Sequence, residues 1–550
     1  MVAVPGRRPR LLLELDLTSA PIELEPDDLV GKLRSRHRPR LRGVLRTLHE
    51  AGKDDVVRGL VVKVGGAALP WAIAQEVRAG LAAFAASGKP AVAWAETIGE
   101  GGNGTSDYVL ASGCREIWLQ PSGELALMGV ASETTFLRGA LDKLGIEPQL
   151  DKRYEYKSAA DRIMRSEFSD EGREALDRVV ASFWDGAVET IAGARGLSVE
   201  DVRAAADRAP LSAEDAVAAG LVDRLGYRDE VYADVRSRAG EDVQLLFADQ
   251  WTPPRRPVQA LRRGKGFVAL VEGHGEITGG RSRTGPRGRQ LGSDTVSSAF
   301  RAARENDHVK AVLFRVDSPG GSAVASDTMW REVELTKRAG KPVIVSMGAV
   351  AGSGGYYVSC PADVIVAQPG TITGSIGVLG GKVVVAELLD RLGLGTGLVE
   401  RGASASMYSA RRGFTDEQRQ RLSDMLDRVY REFVQKVADG RGMGYDAVHE
   451  VARGRIWSGS DALANGLVDR LGSLRDAAAV ARERADLPED APVRPAISIP
   501  PLARLGRPKS SEDPRSLAAT ASAWGDLAAL AAELRLPGGG PLRMPTFRIG

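Results

Sequence analysis

The sequence predicts an α/β fold made by tandem duplication of one domain. Three observations carry that prediction: the chain length, a set of landmarks that recurs at near-constant spacing, and an alternation of short β-branched runs with helical patterns. At 550 residues the chain has room for roughly three to four ordinary domains or a duplicated pair of larger ones. Lys63-Val64 in GLVVKV matches Arg315-Val316 in AVLFRV, and Gly88-Lys89-Pro90 matches Gly340-Lys341-Pro342, both 252 positions apart. Gln120-Pro121 and Gln368-Pro369 differ by 248. The Phe168 and Phe414 tetrapeptides (FSDE, FTDE) differ by 246, as do two identical heptapeptides, GLVDRLG, at 220–226 and 466–472. Ordered landmarks at a fixed period mark a duplication.

The elements follow in order. Residues 1–40 read as an N-terminal arm and 41–240 as the first α/β repeat, with strands at 60–64 and 91–95 and a long amphipathic helix over 170–194. Residues 241–265 read as a linker, ending in the Pro- and Arg-rich WTPPRRPVQALRRGK. The second repeat covers 266–485, with strands at 311–316 and 343–345, a helix over 327–338 and the second long helix over 416–440. Both long helices are expected to open at a Ser or Thr cap. Strands alternating with helices and broken at GKP give βαβ units and a largely parallel sheet. GGRSRTGPRGRQLG at 279–292 reads as a flexible basic loop, and 486–550 as a Pro/Gly/Arg-rich tail, mostly flexible, with one helix over 516–534.

Composition excludes several function classes. Lys+Arg 74 against Asp+Glu 72 leaves a net charge of +2, so no global field recruits nucleic acid or an anionic membrane. An aromatic share of 5% argues against stacking platforms for single strands. Cys114 and Cys360 stand alone, which rules out a disulfide framework and points to buried, reduced thiols. The five histidines (His37, His49, His274, His308, His449) form no close pair, so histidine-based metal catalysis has no footing. No run approaches the 18 apolar residues of a membrane helix, and the start, MVAVPGRRPRLLLELDL, is too short in apolar residues for a signal peptide. The expected location is the cytoplasm, and nucleic acid is not an expected partner.

The chemistry shows where the halves differ. Asp317-Ser318-Pro319-Gly320-Gly321 follows its strand directly, whereas the first half has GGAAL at 65–69. A strand running into Pro-Gly-Gly exposes backbone N–H groups that could hold an oxyanion; a plain tight turn is the alternative. Gly352-Ser353-Gly354-Gly355-Tyr356-Tyr357 sets a serine among glycines after a strand, as an exposed nucleophile requires, where the first half has Gly104 or Thr105. A loop serine is the alternative. No histidine is placed to serve as its base. The first half offers Tyr154-Glu155-Tyr156-Lys157-Ser158-Ala159, and the second half has Tyr408-Ser409-Ala410 in the corresponding stretch. One half keeps a lysine without the serine and the other a serine without the lysine, the pattern a composite site would leave behind.

RVDSPGGS at 315–322, GSGGYYVS at 352–359, TGSIGV at 373–378 and YEYKSA at 154–159 together resemble the signal peptide peptidase A family in its long, double-domain bacterial form, over roughly residues 40–480. The resemblance implies a crotonase/Clp protease-like domain in tandem and a serine peptidase acting on signal-peptide-like or unfolded apolar peptides. It implies Ser353 as nucleophile, Lys157 as general base, Ser375 as hydrogen-bond partner of the lysine amine, and Gly354 with Gly320 or Gly321 as oxyanion-hole donors. It further implies a homotetrameric ring and no metal or cofactor. Many members carry an N-terminal membrane anchor that is not readable here, so membrane association is expected to be at most peripheral. A lysine with the ordinary pKa of about 10.4 would be protonated at neutral pH, so the dyad requires burial to depress it. Two other readings remain at this stage: a crotonase-type acyl-CoA enzyme, which would use the Gly-rich turn alone, and a non-catalytic ring scaffold.

Overall fold

The structure, a computed structural model, describes residues 9–24, 38–66, 69–240, 242–253, 266–285, 288–497, 542–543 and 548–549. The chain forms two compact units: the first takes in Met1–Ala131, Val180–Arg263 and Ile549–Gly550, the second Ser132–Val179 and Gly264–Arg548. The second unit therefore includes 48 residues of first-repeat sequence, Lys157 among them.

The first unit is built on a parallel sheet in the spatial order Gln244–Phe247, Leu11–Asp16, Val57–Lys63, Ala91–Ala95, Glu116–Leu119, Arg224–Leu225. The first two strands in that order draw on stretches that the sequence reads as linker and arm. Leu12 and Leu13 are fully buried, so the LLLEL run is spent on a strand. One face packs Leu12, Val61, Val92, Trp94 and Trp118 against Val231 and Val235 of the Arg228–Ala239 helix.

The second unit repeats that order in Val493–Pro495, Phe267–His274, Val309–Ser318, Val343–Gly352, Val364–Ala367 and Arg470–Leu471. The equivalent helix, Leu474–Arg484, covers Val268, Leu270, Leu313 and Ile344. The tandem duplication is thus repeated strand for strand. The shared heptapeptide has a structural reason. Asp223 accepts the Ile117 N–H and pairs with Arg195, while Asp469 accepts the Ile365 N–H, each at 2.7 Å, and pairs with Arg441. Tyr108 and Tyr356 donate to the Leu221 and Leu467 carbonyls.

The long helices span Asp170–Arg195 and Asp416–Arg441. Ser169 Oγ accepts the Gly172 N–H, and Thr415 with Gln418 makes a reciprocal capping box. Residues 279–292 correct the expectation of a flexible loop. Arg283–Gly285 and Gly288–Gly292 pair antiparallel, and the latter also pairs with Glu276–Thr278, because a backbone edge is available there whatever the side-chain charge. Most of the 251–265 linker and all of the 516–534 helix lie outside the described residues. No helix among the described residues is long and apolar enough to cross a membrane.

Candidate active site

The Val343–Gly352 strand positions the nucleophile candidate. On one side its first half pairs with Val364–Ala367 and its last three residues with Ile372–Gly374, while Ala351 still pairs with Ser318 on the other side, so the strand brings Ser353 beside the Pro-Gly-Gly turn. Ser353 then turns the chain into the Gly354–Ser359 helix at φ +55°, a left-handed conformation that non-glycine residues rarely adopt, held by the Ser353 N–H donating to the Gly374 carbonyl at 2.8 Å. The two glycines that follow Ser353 leave no room for a side chain. A Cβ on Gly355 would meet the Ser318 carbonyl oxygen at 2.5 Å, and one on Gly354 would lie 3.1 Å from Gly320 Cα and 3.2 Å from Gly321 N. This packing places the start of the helix directly on the Pro-Gly-Gly turn.

Lys157 arrives from the first-repeat segment carried by the second unit. That segment is tied down by Glu147–Lys152, which pairs antiparallel with Leu379–Val384 over six residues. Arg153 adds an ion pair with Asp427 and a 2.6 Å bond to the Ser423 carbonyl, and Glu174 adds a 2.8 Å ion pair with Arg455. The lysine side chain is fully buried, as is Ser353, both at 0% exposure. Its Nζ lies 2.9 Å from Ser353 Oγ, 2.8 Å from the Ser375 carbonyl oxygen and 3.0 Å from Ser375 Oγ. Burial pushes the Lys157 pKa well below the ordinary lysine range, through desolvation of the ammonium. A neutral amine fits these three partners: two N–H groups donate to Ser375, and the lone pair faces the Ser353 hydroxyl. Ser375 is itself at φ +51°, its N–H donating to the Arg455 carbonyl at 2.7 Å.

The sequence-predicted residues Ser353, Lys157 and Ser375 therefore meet within 3.0 Å, with Gly320, Gly321 and Gly354 beside them. Of the glycines, Gly320 spends its N–H on Ser318 Oγ at 3.2 Å. Gly320–Gly321 also forms a short strand whose edge pairs antiparallel with Leu542–Arg543. The first unit has different groups at the counterparts of Ser318 and Ser353. Gly66 N–H donates to the Asp107 carboxylate at 2.9 Å, and Thr105, 248 positions before Ser353, bonds Asn103 and the Gly129 N–H.

Two residues that the sequence reading passed over support the lysine. Gly454, at φ +90°, lies so close that a Cβ would fall 2.5–2.6 Å from Lys157 N, Cα and Cβ, and a Cβ on Gly377 would come 3.2 Å from Lys157 Cδ. The available signal was a difference between repeats: Arg208 stands 246 positions before Gly454.

Two stretches of the chain, 83–242 and 336–488, match the family model described as Peptidase family S49. The chain is similar to "Serine protease SPPA, chloroplastic" of Arabidopsis thaliana, at 32% identity over 464 residues that cover 82% of this chain and 68% of the relative. It is similar to "Protease 4" of Salmonella typhi, at 32% identity with 81% and 72% covered, and to "Protease 4" of Haemophilus influenzae, at 29% with 85% and 77% covered.

Proposed function

The chain belongs to peptidase family S49 and is a serine peptidase; from that premise we propose that it is an endopeptidase working through a Ser353–Lys157 dyad on signal-peptide-like or unfolded apolar peptides. The observation that carries the dyad is the 2.9 Å approach of Lys157 Nζ to Ser353 Oγ, with both groups buried and no carboxylate among the lysine's hydrogen-bond partners. A peptide carbonyl arrives beside Ser353; the neutral Lys157 amine takes the hydroxyl proton as Oγ bonds to the carbonyl carbon. The oxygen, now carrying the negative charge, is held by the N–H groups of Gly354 and Gly321, since Gly320 is engaged with Ser318. Protonated Lys157 returns its proton to the leaving amine as the C–N bond breaks, and water, deprotonated by the same lysine, releases the acyl group. Ser375 fixes the amine through both its oxygens, so the lone pair stays directed at Ser353.

Substrate is proposed to lie extended along Gly320–Gly321, an edge that already accepts an antiparallel strand in Leu542–Arg543. The assembly is proposed to be a homotetrameric ring. The cytoplasm is the proposed compartment, one in which two free, buried thiols persist.

The test is substitution combined with active-site labelling. Ser353→Ala and Lys157→Ala should each lower kcat on an apolar fluorogenic peptide by about 10³-fold or more, because members of a catalytic unit fail together. A fluorophosphonate should label wild type at Ser353 and neither variant. Near wild-type turnover in either variant overturns the dyad.

A further inference from the structure

Ser318 closes the Val309–Ser318 strand, directly before the Pro-Gly-Gly turn, and is fully buried. Its hydroxyl has a partner on each side. It donates to the Gly275 carbonyl at 2.6 Å and accepts the Gly320 N–H at 3.2 Å. A serine hydroxyl carries one proton, and a carbonyl can only accept, so the bond to Gly275 leaves the lone pairs of Oγ to face Gly320. The Gly275 carbonyl is itself held in place, because the Gly275 N–H donates to the Asp317 carbonyl at 2.9 Å.

The turn depends on such anchors. Two successive glycines carry little steric preference of their own, and Gly320 stands at φ +96°. Gly321 cannot be exchanged for a stiffer residue, since a Cβ there would fall 2.1 Å from the Ile277 carbonyl oxygen. Beyond the turn, the Ser322 N–H donates to that same carbonyl at 2.9 Å. The peptide that joins Gly320 to Gly321, and carries the Gly321 N–H, is thus held between Ser318 before it and Ile277 after it. The start of the nucleophile's helix lies against it, with a Cβ on Gly354 only 3.2 Å from Gly321 N. The first repeat has no such hydroxyl. Gly66 stands 252 positions before Ser318 and turns its own N–H to the Asp107 carboxylate. Position 318 therefore differs between the repeats just as position 353 does.

We propose that Ser318 is a positioning residue for the oxyanion hole: by taking the Gly320 N–H, its hydroxyl orients the following peptide so that the Gly321 N–H, together with that of Gly354, meets the oxygen that becomes negative during peptide hydrolysis. The inference rests on the Ser353–Lys157 reading and adds to it the group that sets one donor of the hole. Ser318 is buried and acts through the turn, without touching substrate. Its effect belongs to the transition state, where the charge develops, and not to substrate binding, so it is read in kcat rather than in KM. The base is left alone, because the hydrogen-bond partners of Lys157 Nζ are Ser353 and Ser375.

Full-length Ser318→Ala is compared with wild type in kcat and KM on an apolar fluorogenic peptide, in the inhibition constant of a peptide aldehyde, and in the pH dependence of the rate. The aldehyde reports on the hole: Ser353 Oγ bonds to its carbonyl carbon, the hydroxyl proton passes to Lys157, and the carbonyl oxygen takes up the charge, with no leaving group to expel. In Ser318→Ala, kcat should fall about 10²-fold, the scale of one lost oxyanion donor, with KM nearly unchanged. The aldehyde's inhibition constant should rise by a similar factor, and the midpoint of the pH profile should stay where it is. A side chain that served packing alone would lower the fraction of active enzyme and leave aldehyde affinity at wild type. Unchanged kcat, a lowered kcat with wild-type aldehyde affinity, or a displaced pH midpoint therefore overturns the assignment. Ser318→Cys keeps the shape and weakens the acceptor, so it should show a smaller loss of the same kind; if Ser318→Ala does not fold, wild-type aldehyde affinity in folded Ser318→Cys overturns the assignment instead. Ser353→Ala, measured in parallel, separates the two claims. Turnover retained in Ser353→Ala overturns the dyad and this inference with it, whereas an inactive Ser353→Ala beside an unimpaired Ser318→Ala removes the role of Ser318 and leaves the dyad standing.

Discussion

Lys157 is a base because of what surrounds it. An amine desolvated on all sides and bonded only to neutral oxygens holds its proton poorly. The rate should therefore climb from acid to alkaline pH as Lys157 loses its proton, and a kcat/KM profile that peaks below pH 6 contradicts a lysine base. The same depression has a stability consequence with a definite sign. Between the folded lysine's lowered pKa and the ordinary value of about 10.4, the unfolded chain carries a proton that the folded chain does not. Stability is thus lost as pH falls through that window and regained as pH rises. Lys157→Met should melt above wild type at pH 7, and the gap should close towards pH 10.5; a gap independent of pH argues against a depressed amine. Ser353 and Lys157 were legible in the sequence because duplication supplies an internal control: a serine kept in one repeat and a lysine kept in the other differ chemically from their counterparts, whereas Ser375 was implied only by the resemblance of TGSIGV at 373–378 to a known family. Gly320 and Gly321 were legible as a pair. That Gly320 gives its N–H to Ser318 was not, since a glycine's sequence neighbours do not fix where its N–H points.

At the scale of elements, the strands and long helices follow from hydrophobic periodicity and caps, and the Thr415–Gln418 box closes where its residues predict. The basic stretch at 279–292 did not read as structure, because charge describes side chains while a strand edge recruits backbone. The turn that joins the Tyr445–Val451 helix to the Ile456–Ser458 strand was equally silent, having no chemistry of its own. Its Gly454 nevertheless lies against the Lys157 backbone, and any side chain there must push the lysine. Gly454→Ala is expected to lower kcat by about 10²-fold or more with KM nearly unchanged, the scale on which an ångström of misplacement acts. Gly442→Ala is the control: its φ of +63° imposes similar backbone strain, but the added methyl would meet nothing within 4 Å. Equal losses in the two variants would assign the effect to strain rather than to positioning.

Across the whole molecule, duplication followed by division of labour explains why two near-identical sheets carry one complete set of catalytic groups. In the first unit Gly66, the counterpart of Ser318, donates its N–H to the Asp107 carboxylate, and Thr105 stands where the second unit has Ser353. First-repeat sequence still supplies the lysine, through the stretch Ser132–Val179 that belongs structurally to the second unit. A composite of repeats was readable from complementary losses; the membership of that stretch was not, because it depends on which edge Glu147–Lys152 finds, and the partner strand lies more than 200 residues away. Splitting the chain within 251–265 tests the consequence. The fragment from 266 onward keeps Ser353, Gly321 and Gly354 but loses Lys157, together with the strand that covers Leu379–Val384. It should be inactive and should expose that edge. The fragment ending at 250 keeps Lys157 but no nucleophile, and should be inactive as well. Mixing folded, soluble fragments should restore peptide hydrolysis as Glu147–Lys152 regains its partner strand, with the recovered rate saturating in the concentration of the first fragment. If the second fragment alone hydrolyses peptide as fast as the intact chain, the base is not Lys157 and must be sought among residues 266–550.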